Sequence, residues 1–450
     1  MTERIETSES LPPQTTAVRG AGYRTYVMVV VLLIMAVTHI DRMALGVALQ
    51  SIKAELHLSD TELGLLTGIA YAFFYSILGV PLAWVADRGW RAQIIAVATG
   101  AWAVAVAAIG LAHSFVQLAL LRVGAAVGEA GNTPATHSLV AAYYPRSERP
   151  RAFSVFLLSG PLGLFLGYLV AGRLNDAVGW RLMFVLLAAP GAVLALLAAL
   201  TLKDAVGLSG ETGHAAARPA VAMVDYRRSL ELFKANRTFR SIAMSMSVSY
   251  FFGYGVLQWK PTFFIRSFGL TSTQVGAWFA LIYGAAGLVG TLAGGLISAK
   301  FAREDEARQL KGITVAYIAA GLVSPLIYLA PNYQLALVFL AVNTLFIALA
   351  NGPLFATIQT VVPAAQRATA VAIIFLMANL IGMGLGPLVA GMLSDLLRSS
   401  VGRQSMRYAL LVLSPGYCWC AWFFWRASRS IGGDVVDAQA AGDRLGESRI

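Results

Sequence analysis

The sequence predicts an all-α membrane protein with twelve transmembrane helices in two parallel six-helix repeats. Three observations predict this fold: the composition is 58% hydrophobic and 13% charged, twelve apolar stretches can each cross a bilayer, and part of the sequence is repeated. Soluble proteins are about 25% charged, and a soluble domain could not cover this much apolar surface. The composition therefore excludes a soluble enzyme and a disordered chain. A membrane β-barrel is excluded because its strands would alternate polar and apolar residues.

A membrane-spanning helix needs about 20 mostly apolar residues. A search for apolar stretches of this length divides the chain into an N-terminal bundle at 25–203 and a C-terminal bundle at 239–428. A linker at 204–238 joins the bundles, and tails at 1–24 and 429–450 flank them. The C-terminal tail is rich in Gly, Ala and charge, which predicts disorder, and the linker is predicted to carry an interfacial amphipathic helix within 225–240. The predicted spans, numbered 1 to 12, are 25–50, 60–86, 92–112, 115–143, 150–175, 180–202, 239–264, 273–299, 311–330, 334–361, 367–396 and 406–427.

The excess of basic residues indicates orientation. The chain has 34 Lys and Arg residues against 23 Asp and Glu residues, a net charge of +11. Segments on the side of the two termini carry about three times as many Lys and Arg residues as segments on the other side, and cytoplasmic loops are enriched in these residues. We therefore expect a multi-pass protein of the bacterial inner membrane with both termini cytoplasmic, and no nucleic-acid partner.

An internal repeat relates the two halves. Leu169–Asp176 reads LVAGRLND and Leu388–Asp395 reads LVAGMLSD, at an offset of 219 residues, and Asn132 and Asn351 match at the same offset. The offset spans six helices, an even number, so each helix keeps its direction and the repeats are parallel. Such repeats predict a substrate site at mid-membrane, between the halves.

Ionisable residues inside spans are costly and are candidates for function. Span 1 carries His39, Asp41 and Arg42, and span 4 carries Arg122 and Glu129. The sequence analysis places no ionisable side chain well inside spans 7 to 12. All candidate proton carriers are therefore expected in the N-terminal half.

These residues predict a charged substrate site. Arg122 and Glu129 are seven residues apart and share one helix face, and we expect Arg42 to pair with Glu129 across the cavity. Asp41 and Glu129 are the predicted proton carriers, because burial favours the neutral carboxyl and a nearby guanidinium favours the ionised one. Arg42 and Arg122 are the predicted anchors for an anionic headgroup. A static ion-pair cluster that fixes helix packing is the alternative.

The C-terminal half is predicted to offer neutral polar and aromatic groups. Tyr250 and Tyr254 are four residues apart on one stripe of span 7. A charged half facing an apolar half would suit an amphipathic substrate, although helix–helix hydrogen bonding would explain the same polar residues. The remaining predicted substrate-binding residues are His39, Tyr75, Asn132 and Asn351.

Two loops carry a family resemblance. Asp87-Arg88-Gly89-Trp90-Arg91 resembles the D-R-x-G-R/K loop signature of the major facilitator superfamily, with departures at Ala83 and Trp90, and the segment 145–152 is similar to a second landmark. The resemblance implies the major facilitator fold and alternating access. It also implies gating roles for Asp87, Arg88, Arg91 and Arg149.

Three further segments resemble spinster-type lipid transporters. Thr38–Arg42 resembles their N-Y-x-D-R motif and departs from it at His39, and Arg122 with Gly128-Glu129-Ala130 resembles their fourth-span pattern. Both patterns also occur in organic anion:cation symporters. The stretch 367–395 is most similar to bacterial spinster homologues. The resemblance implies proton-coupled transport of a lysophospholipid or a sphingosine-1-phosphate-like lipid.

The predicted function is therefore proton-coupled transport of a single-chain lipid by a monomer surrounded by membrane lipids. The first alternative is a proton-coupled symporter of small organic anions such as sugar acids. The second is a lipid-binding receptor that does not transport. The sequence contains no metal-ligand cluster, nucleophile elbow or phosphate loop, so neither an enzyme nor a cofactor other than the proton gradient is expected.

Overall fold

The computed structural model describes residues 20–87, 90–145, 147–204, 236–301, 305–361 and 373–447, and these ranges contain no β-strand. The predicted amphipathic helix of the linker falls largely on 205–235, outside the described residues. Each of the twelve predicted spans has helices over its described residues, in the order that the sequence predicts.

Six spans make up the N-terminal half. The helices are Ala21–Leu56 for span 1, Asp60–Thr67 and Ile69–Asp87 for span 2, Arg91–Ile109 for span 3, Phe115–Tyr143 for span 4, and Arg149–Leu157 and Ser159–Thr201 for spans 5 and 6. Spans 5 and 6 meet at Gly179, whose φ of 77° and ψ of 163° are non-helical. Glycine adopts a positive φ without a steric penalty from Cβ, so the chain can turn there.

Within the described residues of the C-terminal half, three spans contain a π-helical turn, a feature often found at functional sites. Tyr254 lies in the first of these turns and Tyr283 in the second. The helices are Arg237–Tyr250, Phe251–Gly255 (π) and Val256–Phe268 for span 7; Ser272–Leu281, Ile282–Ala286 (π) and Gly287–Phe301 for span 8; Glu306–Leu329 for span 9; Tyr333–Leu349 and Asn351–Val361 for span 10; residues 373–377, Ala378–Gly384 (π) and Leu385–Val401 for span 11; and Gly402–Gln404 (3₁₀), Ser405–Leu413 and Gly416–Glu447 for span 12.

The predicted disorder after Ser430 is wrong up to Glu447, because the last helix continues to that residue. The tail contains an Ala-Gln-Ala-Ala run at 438–441. Alanine has the highest helix propensity, which favours continuation of the helix over disorder.

In the described part of the chain, eight helical stretches are long and apolar enough to cross a membrane. Two of them, Arg151–Thr201 and Ile373–Asp434, each contain two predicted spans. Spans 4 and 7 are helical as well, and they carry charged residues. Apolar side chains cover much of the outer surface, as expected for a lipid-facing protein; Val97, Val104, Leu120, Leu196, Leu296 and Val315 are each more than 60% exposed.

The repeated motif joins the two halves. Asp176, at the end of its first copy, accepts hydrogen bonds from the backbone amides of Ser272 (3.2 Å) and Thr273 (2.6 Å), at the start of span 8. Asp395, at the end of its second copy, accepts hydrogen bonds from the backbone amides of Asp60 (3.1 Å) and Thr61 (2.7 Å), at the start of span 2. The first amides of a helix lack intrahelical partners, and negative charge is favourable there. Each aspartate therefore caps a helix of the opposite half.

Glycines in the same motif bring the helices into contact. A Cβ at Gly172 would lie 2.4 Å from the carbonyl oxygen of Ser272, and a Cβ at Gly391 would lie 2.2 Å from that of Asp60. Only glycine permits approaches this close. We call these contacts, with the Asp176 and Asp395 caps, the latched face. The opposite face carries the end of span 2 at Asp87, the start of span 3 at Arg91 and the end of span 4 at Tyr143.

Candidate functional site

Two ion pairs connect spans 1 and 4. The Arg42 guanidinium donates to Glu129, with 2.5 Å between Nη2 and Oε1, so the contact predicted from the sequence is present. Arg122 donates from Nη1 to Oδ2 of Asp41 at 2.8 Å, a pairing that the sequence analysis did not assign. Two carboxylates and two guanidiniums thus form one charged cluster, defined by Asp41, Arg42, Arg122 and Glu129.

Two tyrosines of span 2 cover this cluster. Tyr71 donates a hydrogen bond from its hydroxyl to Glu129, and its ring stacks on that of Tyr75 with 5.6 Å between centroids. The guanidinium carbons of Arg42 and Arg122 lie 5.0 Å and 5.1 Å from the centroid of the Tyr71 ring, which is within cation–π range. Sequence analysis missed Tyr71, although its i, i+4 spacing from Tyr75 places both rings on one helix face.

Burial differs among the four charged residues. The side chains of Asp41 and Glu129 are 1% exposed and that of Arg122 is 4% exposed, whereas that of Arg42 is 14% exposed. The second carboxylate oxygen of Asp41, Oδ1, is buried without a hydrogen-bond partner. Arg42 is therefore the member of the cluster that a substrate reaches most directly in this conformation.

Aromatic residues of span 7 face the charged cluster. Tyr254 packs with Tyr71, Tyr75 and Met383 in one apolar cluster that includes both halves. The ring of Tyr250 lies 5.0 Å from that of Tyr254. The predicted residues Arg42, Tyr75 and Tyr254 therefore come together between the halves.

Three other predicted substrate-binding residues lie in different surroundings. A ring nitrogen of His39 is 2.6 Å from the carbonyl oxygen of Met35, within the same helix. Asn132 is fully buried and accepts a hydrogen bond from Thr99 of span 3 at 3.2 Å. Asn351 is exposed at the first residue of its helix.

Two of the predicted gating residues, Arg91 and Arg149, lie at the face opposite the latched face. Arg91 donates from Nε to the hydroxyl of Ser138 at 2.7 Å, and Arg149 donates from Nε to the carbonyl oxygens of Ala141 and Tyr144 at 3.1 Å. Both arginines thus hold the end of span 4. Arg88 and the side chain of Asp87 fall outside the described residues, so the gating roles stay predictions.

The expectation that spans 7 to 12 hold no ionisable residue well inside is wrong. Lys260 of span 7 is 4% exposed. The sequence analysis ended this span at residue 264, but the helix continues to Phe268 and ends at Gly269, which has a φ of 69°. Lys260 therefore lies two turns inside the helix and not at its end. The interrupted apolar pattern at Trp259-Lys260-Pro261 was the signal that could have identified it.

Sequence comparisons agree with this architecture. The profile of the Major Facilitator Superfamily matches residues 31–387. An MFS-type efflux pump of Mycolicibacterium smegmatis is 32% identical over 410 residues, which cover 91% of this chain and 93% of the pump. A probable sulfoacetate transporter of Cupriavidus necator is 27% identical over 74% of this chain and 79% of its own length.

A solved structure matches the whole arrangement of helices. It is a bacterial homologue of the human lysosomal transporter Spinster, crystallised in an inward-facing and unoccupied conformation. The two structures superpose with a TM-score of 0.80 at 27% sequence identity, over 92% of this chain and 99% of the homologue. The twelve-span fold, the sequence profile and these relatives lead to one conclusion: the chain is a membrane transporter, not an enzyme, and it belongs to the Major Facilitator Superfamily.

Proposed function

We propose that this transporter moves an amphipathic single-chain lipid, a lysophospholipid or a sphingosine-1-phosphate-like lipid, and that protons drive the transport. The observation that carries the proposal is the position of Arg42. Its guanidinium bonds Glu129 on one side and lies 5.3 Å from the ring of Tyr75, in the aromatic cluster shared with Tyr254. A charged headgroup would bind Arg42, and an acyl chain would pack against the rings of Tyr75 and Tyr254. The resemblance of Thr38–Arg42 and of Arg122 with Gly128-Glu129-Ala130 to motifs of spinster-type lipid transporters supports the same substrate class.

The balance of charge in the cluster suggests how protons are coupled. Asp41 and Glu129 neutralise Arg122 and Arg42, so an anionic headgroup that binds Arg42 must displace Glu129. A proton on Glu129 removes that competition, and a proton on Asp41 similarly releases Arg122. Binding of the anion and of the proton then favour each other, and thermodynamic linkage makes this effect reciprocal.

Alternating access would use the two faces in turn. The distribution of Lys and Arg favours cytoplasmic termini, and the latched face would then be extracellular. Under this orientation the closed latched face supports an inward-facing state for a transporter in the bacterial inner membrane. Substrate and proton would shift the equilibrium only through different affinities for the two states.

A flux experiment in proteoliposomes tests this function. Labelled lysophospholipid, sphingosine-1-phosphate and glucuronate are compared with and without an imposed pH gradient, for the wild type and for Asp41→Asn. We expect lipid flux that responds to the gradient, and loss of that response in Asp41→Asn. Asp305→Asn, at an exposed helix start, is the matched control and should respond like the wild type. Gradient-driven lipid flux that persists in Asp41→Asn would remove Asp41 as a proton carrier.

The second candidate is symport of a small organic acid with protons. The probable sulfoacetate transporter among the relatives favours it, and so does Lys260, which adds a cation to the C-terminal half. Glucuronate flux without lipid flux in the same experiment would establish this candidate and overturn the lipid proposal.

A further inference from the structure

Lys260 is a buried cation that contacts a tyrosine hydroxyl. Its Nζ lies 3.3 Å from the hydroxyl of Tyr283 and 5.8 Å from the centroid of the same ring. Among the described residues, no carboxylate lies within ion-pair distance of Nζ, in contrast to Arg42, Lys53, Arg122 and Arg266, which each have one. Taking an unpaired charge out of water is costly, and a bound anion would supply a counter-charge that the described residues do not.

The surroundings of Lys260 bridge the two halves. Tyr283 of span 8 stacks on Tyr168 of span 5, with 5.6 Å between centroids and 18° between planes. Phe279 packs edge-on against Tyr168 at 5.3 Å, and a Cβ at Gly276 would lie 2.3 Å from the carbonyl oxygen of Tyr168. These contacts lie farther from the latched face than the Asp176 cap does. Separation of spans 5 and 8 at that face would therefore expose Tyr283 and Lys260.

Lys260 lies closer to the latched face than Arg42 does. Both helices end at that face, span 1 at Leu56 and span 7 at Phe268. At a rise of 1.5 Å per residue, Arg42 is about 21 Å and Lys260 about 12 Å from the end of its helix. The two cations therefore lie at successive depths below the latched face.

We propose that Lys260 and Tyr283 form a second anion-binding site, which takes a phosphate or carboxylate group of the substrate when the latched face opens. The ammonium would supply the charge and the tyrosine hydroxyl a further hydrogen bond. This inference rests on the proposed transport function. It adds a basis for substrate selection, because the site would bind anionic headgroups in preference to uncharged ones. Substrate would pass between this site and Arg42 as the halves move.

Binding measurements with charge-matched probes test the site. Lysophosphatidic acid, a monoacylglycerol with the same chain, and glucuronate are titrated against the wild type, Lys260→Gln, Lys260→Arg and Tyr283→Phe in nanodiscs. Loss of a charge-assisted hydrogen bond should weaken binding of lysophosphatidic acid by at least about tenfold in Lys260→Gln. Lys260→Arg should retain binding and Tyr283→Phe should lose part of it. Lys311→Gln, an exposed lysine of span 9, is the control.

The outcomes separate this site from the transport function. Equal losses for lysophosphatidic acid and the monoacylglycerol in Lys260→Gln would show a structural role and overturn the site. Unchanged binding of both anionic probes would overturn it as well, with the function intact. Binding of glucuronate alone, weakened in Lys260→Gln, would support the anion site and overturn the lipid proposal. If the wild type binds neither anionic probe, both proposals fail.

A labelling experiment tests the dependence on opening. Lys260→Cys is introduced into a chain whose two cysteines, Cys418 and Cys420, are replaced by serine. A membrane-impermeant maleimide should react slowly with this chain, and at least about tenfold faster when Asp176→Asn and Asp395→Asn weaken the latched face. Equal rates in the two backgrounds would contradict exposure through the latched face.

Discussion

Asp60 and Arg266 form an ion pair with two hydrogen bonds that joins the two halves at the latched face. Both Nη1 and Nη2 of Arg266 lie 2.7 Å from the carboxylate oxygens of Asp60, and Lys53 donates to the same carboxylate at 2.5 Å. The equivalent first residue of span 8 is Ser272, which carries no charge. Among the described residues, the pseudo-symmetric latch therefore has an ion pair between the halves at the start of span 2 and none at the start of span 8.

Asp60→Asn should destabilise the closed latched face. The Asp60 side chain is 1% exposed and that of Arg266 is 10% exposed, and removal of one partner of a buried ion pair costs about 3–5 kcal/mol. Part of this cost falls on the closed state alone, so the population with separated halves should increase. The double variant Asp60→Asn/Arg266→Gln should recover part of the loss, because it leaves no unpaired guanidinium.

Spin labels across the latched face measure this population. Suitable positions are the exposed residues His57 and Arg403, each changed to Cys in a chain in which Cys418 and Cys420 are Ser. The wild type should give one short distance, and Asp60→Asn should add a longer one. An unchanged distance distribution would show that the ion pair does not control opening.

Gly391→Ala should open the latched face by a steric route. A Cβ at this position would lie 2.2 Å from the Asp60 carbonyl oxygen, and neither backbone can move without separating spans 11 and 2. The same spin-label pair should report a longer distance, and substrate binding to the state with a closed latched face should weaken. Gly295→Ala is the control, because a Cβ there meets nothing within 4 Å. Equal distances in the two variants would contradict close packing as a requirement for closure.

The sequence predicted one ion pair of the charged cluster but not the other. Ionisable residues are rare in spans 1 and 4, so Arg42 and Glu129 could be matched as partners. Asp41 and Arg42 are adjacent and point about 100° apart on a helix, so the rotation of span 1 decides which partner each one meets. That rotation depends on packing between helices, including the approach of Gly163 to Ala36 and His39, which the sequence alone does not give.

The contacts at the latched face also could not be predicted from the sequence. The repeated motif was visible in the sequence, but its contacts were not. The partners of Asp176 and Asp395 are backbone amides more than 90 residues away in the chain, and backbone groups carry no sequence signal. Lys260 was missed for a local reason, because the helix end depends on a left-handed Gly269 rather than on hydropathy.

Arg122→Gln should cost more stability than the double variant Asp41→Asn/Arg122→Gln. The single change leaves Asp41, which is 1% exposed, without its guanidinium, at a cost of about 3–5 kcal/mol if the carboxyl is ionised. The double variant buries two neutral groups that can hydrogen-bond to each other. Thermal unfolding in detergent compares both with the wild type. A small cost for Arg122→Gln alone would show that Asp41 is already neutral in this conformation, which would favour a proton on Asp41 while the latched face is closed.

Arg42→Lys should impair transport although it conserves the charge. Arg42 contacts Glu129 through two nitrogens, at 2.5 Å and 3.5 Å, and its guanidinium lies over the rings of Tyr71 and Tyr75. An ammonium is a point charge that cannot form both hydrogen bonds and stack on the rings. We expect the initial rate of substrate flux to fall by about 10–100-fold, with Arg398→Lys at an exposed position of span 11 as the control. Wild-type flux in Arg42→Lys would show that the site needs only a positive charge there. Comparable losses in Arg42→Lys and Arg42→Gln would instead show that planar, bidentate recognition by the guanidinium accounts for the contribution of Arg42.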